Sequence, residues 1–295
     1  MRTVSIVGVG NVGGSYALAL DSAGYKVLSL VSRDLDKAQK IAGRIKPRPF
    51  VSDAPDKKTV SAEIIFVTTQ DSGIQGAANQ IASIGAAHQG FAFHASGALN
   101  SSELDSIKAS GRETGSIHPL ISINDPDRGA ESFQSAFFAL EGSDNAVDEG
   151  KLLVKALGGR SFEVRSKNKS LYHAAAVVAC GHLVALINTS RRMLLEAGLE
   201  PETARDVLDP LIESTVANLA GSESHSALTG PFARADLKTI QMHLHKIEEI
   251  ADKDISEVYR LLGRISLDLA GEKGLSGTES EAIRKLILLD KSNPK

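Results

Sequence analysis

TVSIVGVGNVGGSYALALDSAG, residues 3 to 24, decides how the rest of this chain is read. Thr3 to Gly8 has the apolar, β-branched character of a buried strand, and Tyr16 to Ala23 reads as the body of the helix that follows. Between them stands Gly8-Val9-Gly10-Asn11-Val12-Gly13, a G-x-G-x-x-G run. Glycine turns are common, and alone the run says little. Between a strand and a helix it has a mechanism: Gly8 makes the tight turn, Gly10 lets backbone approach a pyrophosphate, and Gly13 lets helix and strand pack closely. The phosphate then meets the helix N-terminus, where unpaired amides favour an anion.

The same alternation continues. KVLSLVSR (26–33) reads as a strand, and 34–45 as a helix with Asp34 as N-cap and Asp36 in its first turn. PRPFVSDAP reads as a proline-rich connection, AEIIFVTT (62–69) as a strand, 76–84 as a helix, and FAFHAS and ETGSIH as further strands. AFFALEG (136–142) and SFEVRS (161–166) follow, separated by a helix at 148–157. This order predicts an α/β fold, a doubly wound parallel sheet. From Lys167 the period changes to helical, over 168–197, 201–220, 236–251, 254–270 and 278–290. A dinucleotide-binding domain is therefore expected over 1–166 and an all-helical domain over 167–295.

Composition narrows the function. With 42% hydrophobic and 23% charged residues and a net charge of −3, the chain has no basic surface suited to nucleic acid or anionic lipid. Its single cysteine, Cys180, excludes a disulfide framework and fits a reducing, cytoplasmic compartment. No basic, apolar signal segment precedes the first strand. LYHAAAVVACGHLVALI (171–187) is apolar on all sides but short for a span, interrupted by His173 and His182. It reads as the central helix of a bundle or a dimer core, with Cys180 a small core residue and no membrane partner.

An acid commonly follows the second strand where NAD binds, to meet the ribose 2′-hydroxyl. Here Ser32-Arg33 stands at that strand end, and Lys37 lies one turn into the next helix. Arg33 suits a 2′-phosphate, so NADP(H) is expected over NAD(H). Open parallel sheets bind ligands at the carboxyl ends of their strands, which places Thr68-Thr69-Gln70 and the His94 to Gly97 loop near the nicotinamide half. Hydride transfer also needs a group that supplies a proton or a hydrogen bond to the developing anion. Ser96 and His118 are the candidates; on the blander reading Ser96 caps the turn at 99–101 and His118 is a packed strand-end histidine. His94 reads as structural, and no Cys or His cluster has metal-ligand spacing.

HASGALNSSEL, GSIHPLIS, FFALEG, LYHAAAVVACGHLVALI and ALTGPFARAD, in this order, resemble the family called domain of unknown function 2520 joined to a Rossmann domain. The resemblance covers nearly the whole chain. It implies an NADP-dependent oxidoreductase that moves a hydride to or from a small carbonyl, hydroxyl or imine compound. Similar architectures occur in pyrroline-5-carboxylate reductases, ketopantoate reductases and β-hydroxyacid dehydrogenases, whose helical domains, of the type found at the C-terminus of 6-phosphogluconate dehydrogenase, commonly build a homodimer. Ser96 with His118-Pro119 is similar to a serine and a His-Pro pair of prephenate dehydrogenases, and on that analogy the pair contacts the reacting group. Lys169 and His173, four apart on one helical face, are implied as substrate-facing, with His173 either a third catalytic candidate or a polar residue satisfied within the helix bundle. Thr229 and Arg234 are candidates for an anionic substrate group, or merely shape a dimer contact. Where the family often carries Ser-Asn, this chain has Cys180-Gly181, which blocks transfer of substrate identity. A non-catalytic NADPH-binding sensor would need the glycine turn and Arg33 but not Ser96 and His118.

Overall fold

Eight short runs rich in β-branched and aromatic residues pair into one sheet: β1 (Thr3–Val7), β2 (Lys26–Val31), β3 (Phe50–Ser52), β4 (Ile64–Val67), β5 (Phe91–His94), β6 (Glu113–Pro119), β7 (Phe137–Gly142) and β8 (Arg160–Glu163). The computed structural model describes residues 1–85, 89–250 and 252–288. The strand order is β3-β2-β1-β4-β5-β6-β7-β8. Every pairing is parallel except β6 with β7, so the last two strands run against the first six.

The sheet is covered on both faces, which is why its central strands read as unbroken apolar runs; all four residues of β4 are buried. One face packs Ile6, Leu30, Phe66 and Phe93 against Tyr16 and Leu20 of the helix Asn11–Ser22. There the Tyr16 ring stacks on Phe66 at 4.6 Å, and its hydroxyl donates to the Ile117 carbonyl at 2.8 Å. The other face packs Val7, Ile65 and Val67 against Ile74, Ala78 and Ile81 of the helix Ile74–Ile84. Because the chain passes from β1 outward in both directions, a crevice opens where β1 and β4 end.

One strand departs from expectation. β3 lies within the stretch read as a proline-rich connection. Three residues at a sheet edge carry no period to read, and β3 is defined by its backbone pairing, Ser29 to Phe50 through Val31 to Ser52.

The chain packs as two units, Met1–His182 and Leu183–Lys295. Past the sheet, the first unit continues through the helix Lys169–Ala179. The single helix expected over 168–197 is in fact broken: Cys180 has φ −115° and ψ −71°, and a new helix starts at Gly181, a residue with weak helical preference. Cys180 is exposed rather than a core residue. Ser166–Glu196 is long and apolar enough to cross a membrane by length and composition, with mean hydropathy 1.7 over an 18-residue stretch of it. Its apolar side chains are uncovered in this chain, Leu171 at 75% and Val184 at 65% exposure, so the burial expected of a bundle core is not found.

The second unit is helical: Pro201–Ala220, Ser224–Ala227, Leu237–Glu249, Lys253–Glu272 and Gly277–Leu288 follow the first long helix. Residues 251, 289 and 290, where two helices were expected to end, lie outside the described residues. Its core is small, formed by Phe232, Ile240, Leu244, Leu267, Ile283 and Ile287. Gly263 is required there because a Cβ would stand 2.8 Å from the Phe232 ring.

Candidate functional site

The glycine turn is built as its sequence implies. Gly8 has φ +105°, and a Cβ on it would lie 2.6 Å from the Thr69 amide nitrogen. A Cβ on Gly13 would meet the Gly8 carbonyl oxygen at 2.1 Å, so helix and strand touch through bare backbone. Gly10 differs: a Cβ there meets nothing within 4 Å. It is the N-cap of Asn11–Ser22 and no side chain caps that helix, while the first helical bond runs from the Gly14 amide to the Gly10 carbonyl. The first-turn amides therefore open onto free space beside a residue without a side chain, which fits a pyrophosphate.

Around this turn lies a cavity of about 710 Å³. Gly8, Val9, Gly10, Ser32, Arg33, Lys37, Thr68, Thr69 and Gln70 all line it. The other three members of the turn support it: Asn11 donates to the Asn124 carbonyl and accepts from Lys37 Nζ, Val12 packs on the core, and Gly13 is buried. Thr68 Oγ1 donates to the Gly8 carbonyl at 2.7 Å, tying β4 to the turn. Asp34 is the cap of its helix, its carboxylate accepting from the Lys37 amide at 3.0 Å. Asp53, also on the wall, was not singled out from sequence because the strand that delivers it, β3, was not read.

At the ends of β5 and β6 the polar residues fall into two groups. His94 is fully buried, its Nδ1 accepting from the Ser96 amide at 3.2 Å and its Nε2 donating to the Asn100 carbonyl at 3.0 Å. Ser96 Oγ donates to Asp71 at 2.9 Å and accepts from the amides of Ala98 and Leu99. The serine hydroxyl thus pins the loop to the rim of the nucleotide cavity. Behind it, Lys169 is buried, with its ammonium on the Ser96 carbonyl, on Ser116 Oγ, and 3.8 Å from Glu141. Glu141 also accepts from the Ser101 amide and from the hydroxyls of Ser101, Ser116 and Ser166. Burial lowers the Lys169 pKa to about 8, against the opposing pull of Glu141 and Asp71. Its ammonium faces this network and not an open cavity.

The second group is more open. The rings of His118 and His173 converge over Gly97, where a Cβ would lie 2.8 Å from His118 Nε2 and 2.6 Å from His173 Cδ2. Their centroids are 5.8 Å apart, edge to face. His118 Nδ1 is 2.8 Å from the Tyr172 hydroxyl. With the phenol donating, Nδ1 is the acceptor and Nε2 carries the proton, on the ring edge that faces Gly97. Burial first, then His173, Lys169 and His94, lowers the His118 pKa to about 4, so it is neutral at pH 7. His118, Tyr172 and His173 line a cavity of about 780 Å³ whose other walls are mainly apolar.

Thr229 and Arg234 belong to the second unit, where both are exposed. Arg234 precedes Ala235, which has φ +52°, and Asp236 caps the next helix through the Thr239 amide. Sequence reading missed Tyr172, Ser116, Asp71 and Glu141. The signal for Glu141 was present: a carboxylate inside the apolar run FFALEG must have buried donors.

Comparison with known proteins agrees with this architecture. Residues 3–91 match the family model described as NADP oxidoreductase coenzyme F420-dependent, and residues 136–265 match a domain of unknown function 2520. Protein TM1727 from Thermotoga maritima is similar at 25% identity and TM-score 0.71, over 92% of this chain and 99% of that one. BF3122 from Bacteroides fragilis, provisionally assigned as an NADP oxidoreductase, aligns at 21% identity and TM-score 0.72, over 90% and 98% of the two chains. A pyrroline-5-carboxylate reductase from Coxiella burnetii shares the fold at 12% identity and TM-score 0.56, over 92% and 98%. Glycine turn, cavity and the two matches together describe a Rossmann-type NAD(P)H oxidoreductase domain followed by a region that matches a domain of unknown function 2520.

Proposed function

We propose that the chain is an NADP(H)-dependent reductase of a small carbonyl or imine compound. One observation carries the reading. The Nε2 edge of His118, with His173 beside it, lies over Gly97 on the loop that Ser96 ties to Asp71, between Gln70 and Ser72 of the nucleotide cavity wall.

The cofactor would be held by the amides of the glycine turn, with Arg33 and Lys37 receiving a 2′-phosphate. Asp34, the acid that could instead select NAD, also lines the cavity, with one carboxylate oxygen engaged as a helix cap. When bound, the cofactor supplies the hydride. His118 Nε2–H donates a hydrogen bond to the substrate oxygen or nitrogen on which charge develops, and Tyr172 fixes the tautomer that makes this donation available. His173 orients the same group. Ser96 and Lys169 act as positioning residues that hold the Gly97 loop. Thr229 and Arg234 are retained as candidates for a more distant substrate group.

Leu171 and Val178, with the uncovered apolar residues of the helices Gly181–Glu196 and Pro201–Ala220, fit a homodimer through the helical region; a cytoplasmic location is part of the same proposal. The function is tested by following NADPH oxidation against a panel of ketones, keto acids and cyclic imines. Turnover of at least one compound is expected, and its absence across the panel breaks the reading. Arg33→Ala is expected to weaken NADPH about tenfold or more and leave NADH nearly unchanged. Equal losses for both cofactors would overturn the preference.

A further inference from the structure

The cavity that presents His118 and His173 has a wall of one character. Leu120, Ile121, Phe162, Val177 and three alanines make most of it, and its polar side chains are His118, His173, Tyr172, Ser122 and the Cys180 thiol. Among the described residues, no Lys or Arg stands in that wall. The buried cation nearest in sequence to the site, Lys169, is spent on the Ser96 carbonyl, Ser116 and Glu141. Resting on the reductase reading of the same cavity, we propose that its substrates are uncharged, apolar carbonyl or imine compounds and that it discriminates against carboxylate-bearing ones.

The chemistry follows from the two ends of such a molecule. The reacting oxygen or nitrogen needs one hydrogen bond, and His118 Nε2–H supplies it from the edge over Gly97. The remainder needs a surface that gains from losing water, and the aliphatic and aromatic side chains provide that. A carboxylate placed on the same wall gives up its hydration and finds no guanidinium fork or ammonium in return, a cost that single hydrogen bonds from hydroxyl groups and the neutral His118 ring do not offset. Leu120 marks where a cation would change this. It lies on the wall, two residues past His118, and is partly exposed, so its replacement removes no fully buried side chain.

A keto ester and its free acid share one reacting carbonyl and differ in charge, so ethyl 5-oxohexanoate and 5-oxohexanoate are a suitable pair for the full-length protein with NADPH. The ester is expected to show kcat/KM about 100-fold above the acid. Leu120→Arg is expected to bring the two within about tenfold by raising the acid. An acid used as well as or better than the ester overturns the assignment, most directly if Arg234→Ala removes that preference. Binding of both compounds to the NADP⁺ complex, read by cofactor fluorescence or calorimetry, separates this from failure of the reductase reading. Tighter ester binding without turnover breaks the catalytic reading and keeps the substrate class. Equal binding, or none by either compound, overturns the class.

Discussion

His94 and His118 end neighbouring strands of one sheet, and burial lowers both to a pKa of about 4, yet the two strand ends do different things. At the end of β5, both His94 nitrogens and the Ser96 hydroxyl are committed to backbone and to Asp71. At the end of β6, His118 has one nitrogen on Tyr172, presents the other to Gly97, and belongs to a cavity wall. Polar residue types at a strand end therefore do not identify a reacting group. What sets His118 apart is a ring nitrogen with no hydrogen-bond partner among the described residues, on a side chain that lines a cavity.

The largest expected effect tests that contrast directly. His118→Ala is expected to lower turnover roughly a thousandfold while cofactor affinity stays within a factor of about two. Ser96→Ala is expected to act mainly on stability, costing about 1–2 kcal/mol through the lost caps at Ala98 and Leu99. Steady-state kinetics with thermal unfolding measures both. If Ser96→Ala were as damaging to turnover as His118→Ala, with the unfolding midpoint unchanged, the division between the two strand ends would collapse.

Next comes the network behind the loop. Lys169→Met leaves Glu141 buried without its cation and is expected to cost roughly 3 kcal/mol of stability. Combining it with Glu141→Gln is expected to recover part of that loss. A fully additive double substitution, read from denaturant midpoints, would show that the two groups are not coupled.

Acid sharpens the comparison further. The unfolded chain protonates His94 near pH 6.5, but the folded protein resists until about pH 4. Between those values the unfolded state holds the extra proton, so stability falls as pH drops through the window and is level with respect to this group above it. For the fully buried His94 the loss approaches about 3 kcal/mol at pH 4. His94→Gln is expected to make this limb of the pH profile shallower and to leave the part that His118 contributes. Turnover, in contrast, is expected to stay level from about pH 5 to 8, since His118 keeps one protonation state there.

How much of this was legible beforehand follows from where each signal resides. The glycine turn was legible because strand, turn and helix adjoin in sequence, and Asp34 because a cap acts on the amide three residues ahead. β3 was hidden because three edge residues carry no period. The pairing of Lys169 with Glu141 was hidden because β5, β6, β7 and the helix after β8 meet only once the sheet closes. Lys169 and His173 share a face by spacing alone, but spacing does not say which of them turns toward buried partners.

Tyr172 is the point where the contrast can be broken most finely. If the phenol sets the His118 tautomer, Tyr172→Phe removes the donor to Nδ1 and lets the ring proton divide between its two nitrogens. The packing is kept, because the Phe162 and His118 edges still meet a ring of the same shape. The expected loss is then about tenfold in kcat with little change in KM, the mark of an interaction used after the substrate is bound. Nitrogen NMR of His118 separates this from a packing defect: the Nε2–H form dominates in the parent and falls in Tyr172→Phe. An unchanged tautomer with lowered kcat would assign the loss to the cavity wall, and His118 would then owe its orientation to burial alone, as His94 does not.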